Sequence, residues 1–419
     1  MSTSYDAVDK SKFGKKFVKP LYDSYCFSNI PMTIQSLLGV TKNTGLPKDV
    51  LPEGRYKKVV FILIDAFGWK FFDKYKNKYP ALQRFINKGV VSKITSQFPS
   101  TTATQVTSIN TGLSVGESGV YEWFYYEPKL DSVIAPLLFS FAKDEGRGTL
   151  AATGIDPTKL YPTETLYKEL KRYGVKSNVF VSSEFAFSEF NSIISKGAKM
   201  FPFSSIIEGL TSLSETLIKE KDKSYFFLYY GGLDSMGHQY GTDSKYFDSE
   251  IDLFFTSLEN TFMKFIEGKI KDTIILLSAD HGQTNVSPQT TFYLNKEIKN
   301  IAKYLKTTKI GEPIVPAGSC RDMFLHVKEN SMEYLSKILI KKLKGKAEIY
   351  ETKWLIEEGF FGKKISKEFT SRVGNLVILP YAGESVWWYE EGVFEQKHIG
   401  HHGGLTQEEM EIPFLALPI

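Results

Sequence analysis

Three long apolar runs give the first indication of the fold. Residues Val59–Ile64, Tyr225–Tyr230 and Thr273–Leu277 are almost continuously hydrophobic, and segments with helical periodicity lie between them. Strands that are buried on both faces of a parallel sheet have this unbroken pattern, whereas half-buried strands alternate. The pattern therefore predicts an α/β fold with a mostly parallel central sheet flanked by helices.

The segments between the apolar runs carry helix signals. An amphipathic stretch covers about residues 31–39, and Thr163 is a candidate N-cap for a helix over Glu164–Tyr173. Gly174 is a candidate stop for that helix, before a strand at Val175–Val181. This alternation of helix and strand supports the same fold class.

Residues 286–385 depart from the alternation. The pattern there predicts short elements, which are a strand at Asp322–Val327, a helix at Met332–Leu343, a strand at Ala347–Tyr350 and a helix at Lys353–Glu358. We interpret the segment as a small α+β insertion subdomain of unassigned role. Residues 1–285 and 386–419 would then be the two parts of the α/β core.

Composition narrows the classes of protein. The chain has 419 residues, of which 42% are hydrophobic and 24% charged, as in ordered globular proteins. Its 52 basic and 48 acidic residues give a net charge of +4 without a basic block. The sequence therefore argues against stable nucleic-acid binding. It does not indicate an oligomeric state.

The cysteines and the amino terminus bear on the compartment. Cys26 and Cys320 lie far apart, which leaves one disulfide open but excludes a disulfide framework. Met1–Pro20 is polar and Lys-rich without the apolar region of a leader, and no apolar stretch is long enough to span a bilayer. We therefore expect a soluble, cytoplasmic protein with no membrane partner.

An acidic residue follows each of the three apolar runs, namely Asp65, Asp234 and Asp280. Ligands of open parallel sheets bind beyond the carboxyl ends of the strands, so these side chains are expected at one edge. His281 directly follows Asp280, and His238 lies four residues after Asp234, on the same face of a helical turn. Carboxylate and imidazole together suit Zn²⁺ or a similar divalent ion.

A third histidine setting is the glycine-rich segment Gly400–Gly404, which contains His401 and His402. Glycines there would let the backbone approach a metal ion or a phosphate closely. A single aspartate at a strand end is commonly a turn or helix-cap residue. The chain has only six histidines, however, and chance explains three such settings poorly.

A hydroxyl-rich segment, residues 98–113, lies between the first and second acidic strand ends. Such a segment can simply cap a helix. Its place between metal-ligand candidates makes Ser100, Thr101 and Thr102 candidate nucleophiles as well. A hydroxyl is a poor nucleophile at its ordinary pKa, and metal coordination is one way to activate it.

The order of these segments resembles the type I phosphodiesterase/nucleotide pyrophosphatase branch of the alkaline-phosphatase superfamily. The matching segments, each weakly specific alone, are residues 59–69, 98–113, 231–241, 276–284 and 400–417. The resemblance implies an alkaline-phosphatase-like fold and a hydrolase of phosphodiester or pyrophosphate bonds. Its partner would be a small phosphate ester, expected to be nucleotide-like.

The resemblance also implies two divalent metal ions, zinc or alternatively manganese. Their ligands would be Asp234, His238 and His402 for one ion, and Asp65, Asp280, His281 and Thr102 for the other. In the family the nucleophile stands nine residues before the threonine of a Thr-Gly-Leu triplet, here Thr111–Leu113, which selects Thr102. Thr102 would carry a phosphothreonine intermediate. The last histidine directly precedes a glycine, which selects His402.

Two departures from the family leave nucleotide specificity open. An asparagine that many members carry about 21 residues past the nucleophile is Trp123 here, and the lysine before the nucleophile is Thr101. Trp123 and Tyr125 are therefore candidate substrate-binding residues, with Trp387–Tyr389 as a second aromatic group. Ordinary core packing is the competing interpretation of both groups.

Several other functions stay open. A phosphonoacetate hydrolase also uses a threonine and two metals, and phosphomonoesterase or mutase relatives share the His-Gly-Gly-Leu-Thr ending. A metal-binding protein without turnover is an alternative of a different class. A sulfatase is excluded, because neither Cys26–Ser28 nor Cys320–Asp322 fits a Cys/Ser-x-Pro-x-Arg motif.

Overall fold

The computed structural model describes residues 3–14 and 16–419. Residues 1, 2 and 15, which belong to the stretch expected to carry no leader, lie outside the described residues. The strands are β1 (Lys12–Phe13), β2 (Phe17–Val18), β3 (Lys58–Ile64), β4 (Val90–Thr95), β5 (Tyr125–Glu127), β6 (Ser132–Ala135), β7 (Ser140–Phe141), β8 (Lys176–Ser182), β9 (Lys199–Phe203), β10 (Ser224–Tyr230), β11 (Thr273–Ser278), β12 (Thr284–Asn285), β13 (Phe292–Tyr293), β14 (Met323–Leu325), β15 (Ala347–Glu351), β16 (Leu376–Pro380), β17 (Val386–Trp387), β18 (Gly400–His401) and β19 (Glu411–Pro418).

Helices separate most of the strands, with short 3-10 turns and a π-helical segment, Leu258–Met263, between them. They are α1 (Thr3–Lys10), α2 (Ile30–Leu37), α3 (Trp69–Tyr75), α4 (Pro80–Lys88), α5 (Thr102–Thr111), α6 (Val115–Ser118), α7 (Leu166–Arg172), α8 (Glu189–Ile194), α9 (Ile206–Lys219), α10 (Gly232–Tyr240), α11 (Lys245–Ser257), α12 (Lys264–Ile266), α13 (Leu294–Glu297), α14 (Met332–Lys342), α15 (Thr352–Glu357), α16 (Lys367–Arg372) and α17 (Gln407–Met410).

The largest sheet in the described part of the chain has the strand order β4-β19-β11-β3-β10-β8-β9. Strand β3 is parallel to β10 on one side and to β11 on the other, with Ile64 paired to Tyr230 and Leu63 to Ser278. Every residue of β3 and β11 is buried, because helices cover both faces of the sheet. The predicted mostly parallel α/β fold is confirmed.

One edge of this sheet was not predicted. Strand β19 lies between β11 and β4 and runs antiparallel to both, so that β4 forms the edge of the sheet. Neither β4 nor β9 was predicted either. The unbroken burial of Glu411–Leu417 comes from pairing with strands that are distant in sequence, which a local pattern does not specify.

The local helix signals were partly right. Helix α7 is capped by Thr165, whose hydroxyl accepts the Lys168 N–H at 3.1 Å. The predicted cap, Thr163, was therefore wrong by two residues. Gly174 follows the C-cap residue Tyr173 and has φ +73°, as a stop requires. The amphipathic stretch forms α2, and the predicted strand at 175–181 is β8.

Within residues 286–385, β14, β16 and β15 form an antiparallel sheet with β16 in the middle. The predicted elements there are β14, α14, β15 and α15, each within three residues of its predicted bounds. The central strand β16 was missed. The division of the chain at residues 286 and 385 remains a prediction.

Both cysteines are buried and free, so the single disulfide left open by the sequence is not formed. No helix in residues 3–14 and 16–419 is long and apolar enough to cross a bilayer.

Candidate metal centre and nucleophile

The three acidic strand ends meet at the carboxyl edge of the sheet. Asp65 directly follows β3, Asp234 lies in the first turn of α10 after β10, and Asp280 follows β11. The Ala66 N–H donates to Oδ1 of Asp280 at 3.0 Å, which holds the first and third strand ends together. Adjacent parallel strands therefore place side chains together that are more than 200 residues apart in sequence.

Three of the predicted ligands, Asp65, Asp280 and His281, form a group beside the nucleophile candidate Thr102. Nε2 of His281 lies 3.3 Å from Oδ1 of Asp65 and 3.3 Å from Oδ2 of Asp280. Oγ1 of Thr102 lies 3.2 Å from the same Nε2 and 3.4 Å from Oδ2 of Asp65. Thr102 is the first residue of α5, so the hydroxyl stands at the helix amino terminus. The Thr102 hydroxyl thus points toward the ligand group formed by Asp65, Asp280 and His281.

The other predicted ligands meet around Asp234. Nε2 of His238 lies 3.2 Å from Oδ2 of Asp234, and Nε2 of His402 lies 3.6 Å from its Oδ1. The rings of His402 and His281 are stacked with centroids 3.7 Å apart, so the two ligand groups adjoin. His401 belongs instead to a group with His238 and His398.

The three ligand histidines share one hydrogen-bonding arrangement. Nδ1 contacts a carbonyl oxygen in each: Gly400 at 2.7 Å for His238, Ser100 at 3.0 Å for His402 and Gly282 at 3.1 Å for His281. A carbonyl can only accept, so Nδ1 carries a proton, and in the neutral ring Nε2 presents a lone pair to the carboxylates. This is the tautomer of a metal-ligating histidine.

The site fits divalent cations. Lone pairs of nitrogen and carboxylate oxygen face one another, and such pairs repel unless a cation lies between them. Oδ1 of Asp65 and Oδ2 of Asp280 are buried, and no described residue donates a hydrogen bond to either. Buried charged oxygens without donors are costly unless a metal ion binds them. Mixed carboxylate and imidazole ligands suit zinc.

The protonation equilibria agree with this fit. Burial, with the neighbouring carboxylates of Asp280 and Asp234, raises the pKa of Asp65 well above its usual range. Burial raises the pKa of Asp280 to about 7. Burial lowers the pKa of His402 to about 4, and burial with the facing His402 lowers that of His281. Asp65 and Asp280 therefore resist ionising here without a cation, while His281 and His402 stay neutral. Asp234 and His238 differ: against the opposing effect of burial, each shifts the other toward its charged form, so the pKa of Asp234 is lowered and that of His238 is raised.

Two supporting residues were missed from the sequence. The hydroxyl of Tyr229 donates to Oδ2 of Asp65, and the side-chain amide of Gln283 donates to Oδ1 of Asp234. Both orient metal-ligand carboxylates, as partners of ligands commonly do. Gln283 stands two residues after His281, and Tyr229 is the penultimate residue of β10, so proximity to the motifs was the available signal.

The glycines after the histidines leave room for other parts of the chain to pack closely against them. A Cβ on Gly403 would lie 2.5 Å from Oγ of Ser319 and 2.8 Å from Oδ1 of Asp322. A Cβ on Gly282 would lie 2.1 Å from the carbonyl oxygen of Glu408. These glycines therefore allow close approach between parts of this chain, and a close approach to a metal ion or a phosphate stays a prediction.

The two aromatic substrate candidates have different surroundings. Trp123 is 38% exposed and lines a cavity with Thr102 and Asp65. Tyr125 is completely buried, with its ring stacked on Tyr121 at 5.3 Å and under the Arg372 guanidinium. The structure therefore brings Trp123 to the site and leaves Tyr125 in the core, where its competing packing interpretation holds. Trp387 and Trp388 are buried in a separate hydrophobic cluster.

The cavity beside Thr102 has a volume of about 590 Å³, which is within the range of ligand pockets. Most of its lining is apolar, and it meets solvent at exposed residues that include Trp123, Arg147, Glu184, Ile207 and Leu253. Arg147 and Glu184 form an ion pair with each other at 3.0 Å.

Fold and site together place the chain in the alkaline-phosphatase superfamily. The chain belongs to the type I phosphodiesterase / nucleotide pyrophosphatase family, whose sequence profile matches residues 59–405. This family depends on divalent metals, and its relatives hydrolyse phosphate esters, pyrophosphates or phosphonates. No curated protein matches the chain in sequence.

Solved structures share the fold at low identity. Murine ectonucleotide pyrophosphatase/phosphodiesterase 5, as an inactive threonine-to-alanine variant with AMP, has a TM-score of 0.64 and 18% identity, over 86% of this chain and 88% of that chain. The human counterpart has a TM-score of 0.61 and 17% identity over 86% and 88%. A phosphonoacetate hydrolase from Sinorhizobium meliloti 1021, with phosphonoacetate, has a TM-score of 0.60 and 15% identity over 87% and 92%.

Proposed function

We propose that this protein is a two-metal hydrolase of phosphodiester or pyrophosphate bonds that acts through a phosphothreonine intermediate on Thr102. The observation that carries the proposal is the position of the Thr102 hydroxyl. It stands at the amino terminus of α5, 3.2 Å from Nε2 of His281 and 3.4 Å from Oδ2 of Asp65. A hydroxyl so placed faces both the ligand group and the cavity.

The proposed ligand sets are Asp65, Asp280, His281 and Thr102 for one ion, and Asp234, His238 and His402 for the other. Zinc is the ion that this mixture of imidazole and carboxylate suits best, with manganese as the second candidate. Bound ions of this kind lower the pKa of a coordinated hydroxyl or water and neutralise developing phosphoryl charge.

Residues of this chain supply the attacking hydroxyl and the N–H groups that stabilise charge on the phosphoryl oxygens. Oγ1 of Thr102 attacks phosphorus, the bond from phosphorus to the leaving ester oxygen breaks, and an alcohol or nucleotide departs. Water then cleaves the phosphothreonine and releases the remaining monoester. The first N–H groups of α5 have no partners within the helix, so they are available to the phosphoryl oxygens.

Two further considerations support this function. The murine structural neighbour is inactive as a threonine-to-alanine variant, which suits a threonine nucleophile in the shared fold. The phosphonoacetate hydrolase neighbour takes a small, highly charged substrate. A cavity of about 590 Å³ with a mostly apolar lining beside Thr102 suits a bulky ester substituent instead.

The proposal is tested by a substrate panel with purified protein loaded with Zn²⁺ or Mn²⁺. The panel compares bis(4-nitrophenyl) phosphate, 4-nitrophenyl phosphate, a dinucleoside pyrophosphate and phosphonoacetate. We expect kcat/KM for the diester to exceed that for the monoester, with a phosphorylated Thr102 peptide trapped by acid quench. A clear preference for the monoester would indicate a phosphomonoesterase instead, and a clear preference for phosphonoacetate would indicate a phosphonoacetate hydrolase.

A further inference from the structure

The nucleophile is the first member of a helix face that borders the cavity. Thr102, Val106 and Asn110 follow one another at four-residue intervals on α5, and all three line the cavity. Residues at this spacing lie on one face of a helix, and eight residues of helix span about 12 Å. The cavity therefore extends from the reacting hydroxyl along the length of α5.

The opposite wall is one face of the central sheet. Phe227 of β10 is paired with Val179 of β8, and Tyr229 and Val181 stand two residues further along these strands. Side chains two residues apart point to the same face of a strand. All four line the cavity. Phe203 and Ile206, which are both buried, add further apolar surface.

The two asparagines in this lining make hydrogen bonds within the protein. Asn110 donates to the Val106 carbonyl at 2.7 Å and accepts from the hydroxyl of Tyr167. Asn191 donates to the Phe185 carbonyl at 2.7 Å. Among the described residues of the lining, only Asp65, at the metal end, has a buried side-chain atom without a hydrogen-bond partner.

We propose that this cavity binds an aliphatic ester substituent, so that the substrate is a phosphodiester of a long-chain alcohol or an acylated alcohol. The inference rests on the proposed function, because the cavity opens beside the proposed nucleophile. A nucleoside offers several hydrogen-bonding groups, and burying them against these apolar walls is unfavourable. A hydrocarbon chain needs only the apolar surface that the walls present.

The test is a series of 4-nitrophenyl phosphodiesters whose second ester group is methyl, butyl or octyl. The 5′-(4-nitrophenyl) ester of thymidine monophosphate serves as the nucleoside arm. Metal-loaded protein is assayed below the concentration at which the esters aggregate. Each buried methylene favours binding by about fourfold, so kcat/KM for the octyl ester should exceed that for the methyl ester by about 100-fold or more.

Two variants assign the chain-length effect to the cavity. Val181→Phe fills the middle of the sheet wall and should lower the octyl-to-methyl ratio by about tenfold, since its extra ring occupies the volume that several methylenes need. Val393→Phe makes the same change at a residue that is 42% exposed and outside the lining, and should keep the wild-type ratio. Val106→Phe, on the helix wall, is the second filling variant where Val181→Phe does not fold.

A binding measurement separates the two proposals. Calorimetry at two temperatures compares octylphosphonate with methylphosphonate, and octylphosphonate should bind more tightly with a negative heat-capacity change. A flat ester series in an active enzyme, or faster cleavage of the thymidine ester than of the octyl ester, would overturn the aliphatic substituent alone. Absence of diester hydrolysis with either metal would overturn the proposed function, and calorimetry would still decide what the cavity binds.

Discussion

Nδ1 of His402 donates to the backbone carbonyl of Ser100 at 3.0 Å, across 302 residues of sequence. Ser100 stands two residues before the nucleophile candidate, and His402 is a proposed metal ligand. The Ser100 hydroxyl also donates to the carbonyl of Gly404 at 2.7 Å and accepts the Gly403 N–H at 3.2 Å. The nucleophile segment and the last ligand segment thus fix each other's positions.

Ser100→Ala should therefore change both the stability of the protein and its binding of metal. It leaves a buried N–H and a buried carbonyl without their hydroxyl partner, which we expect to lower the free energy of unfolding by about 1–3 kcal/mol and to weaken metal binding. Denaturant unfolding and metal titration measure the two effects. Ser108→Ala is the matched control, because no described residue hydrogen-bonds its buried hydroxyl. Equal effects of the two substitutions would contradict the coupling.

Thr102→Ala removes the attacking oxygen. We expect diesterase activity to fall by about a thousandfold or more, with unfolding little changed. Thr102→Ser keeps a hydroxyl at nearly the same place and should retain a measurable fraction. Thr101→Ala is the neighbouring control, since Thr101 makes no side-chain capping bond to α5. If Thr101→Ala is inactive while Thr102→Ala works, the nucleophile is the preceding residue.

His402→Ala should reduce the metal content of reconstituted protein from two equivalents to one, since it removes a ligand of the Asp234 group. Elemental analysis gives the stoichiometry. His398→Ala is the control, because His398 belongs to neither group that contains a carboxylate. Chelation should abolish activity while the sheet core keeps the protein folded. Metal-free but fully active protein would refute the two-metal mechanism.

Tyr229→Phe removes the hydroxyl that donates to Oδ2 of Asp65. Loss of a partner of a metal ligand commonly lowers metal affinity or activity by about 10–100-fold, and we expect that range here. Competition with a chelating dye measures the affinity. Tyr225→Phe on the same strand is the matched control, because its buried hydroxyl has no hydrogen-bond partner among the described residues. A similar loss in both variants would point to general strand damage.

Glu122→Gln should change how stability depends on pH. Burial raises the pKa of Glu122 to about 8, beside Asp322, whose pKa is also raised by burial and by Glu122. A carboxyl with a raised pKa in the folded state stabilises the protein at low pH, and this contribution is lost as the pH rises through about 8. The glutamine in Glu122→Gln does not ionise, so the variant does not lose this stability as the pH rises.

Relative to wild type, the variant should therefore gain about 1–3 kcal/mol of stability between about pH 6 and about pH 8. Denaturant unfolding of both proteins at both pH values measures the difference, which includes the effect of Glu122 on its neighbour Asp322. Parallel pH profiles would show that Glu122 is ionised in the folded protein at both pH values.

Much of the site followed from local sequence. A strand that is buried on both faces needs an unbroken apolar run, so Val59–Ile64 was recognisable, and so was Asp65 directly after it. His238 follows Asp234 at helical spacing, and α10 keeps both side chains on one face. The family order of the segments was also recognisable, because each motif is short and continuous in sequence.

Tertiary structure decided the rest. Tyr125 and Trp123 are two residues apart and chemically alike, yet one is enclosed by Tyr121 and Arg372 and the other borders the cavity. Local sequence does not specify that difference, because Arg372, whose guanidinium covers the Tyr125 ring, comes from a segment that is distant in sequence.

By itself the sequence determined the buried strands, their acidic ends and the histidines beside them, since burial and short spacings are local properties of the chain. Only the tertiary structure decided that β19 runs antiparallel, that the His402 segment contacts Ser100, and that α5 and the sheet leave a cavity beside Thr102. These features depend on packing between segments that are remote in sequence, where register, side-chain volume and hydrogen-bond partners are set jointly.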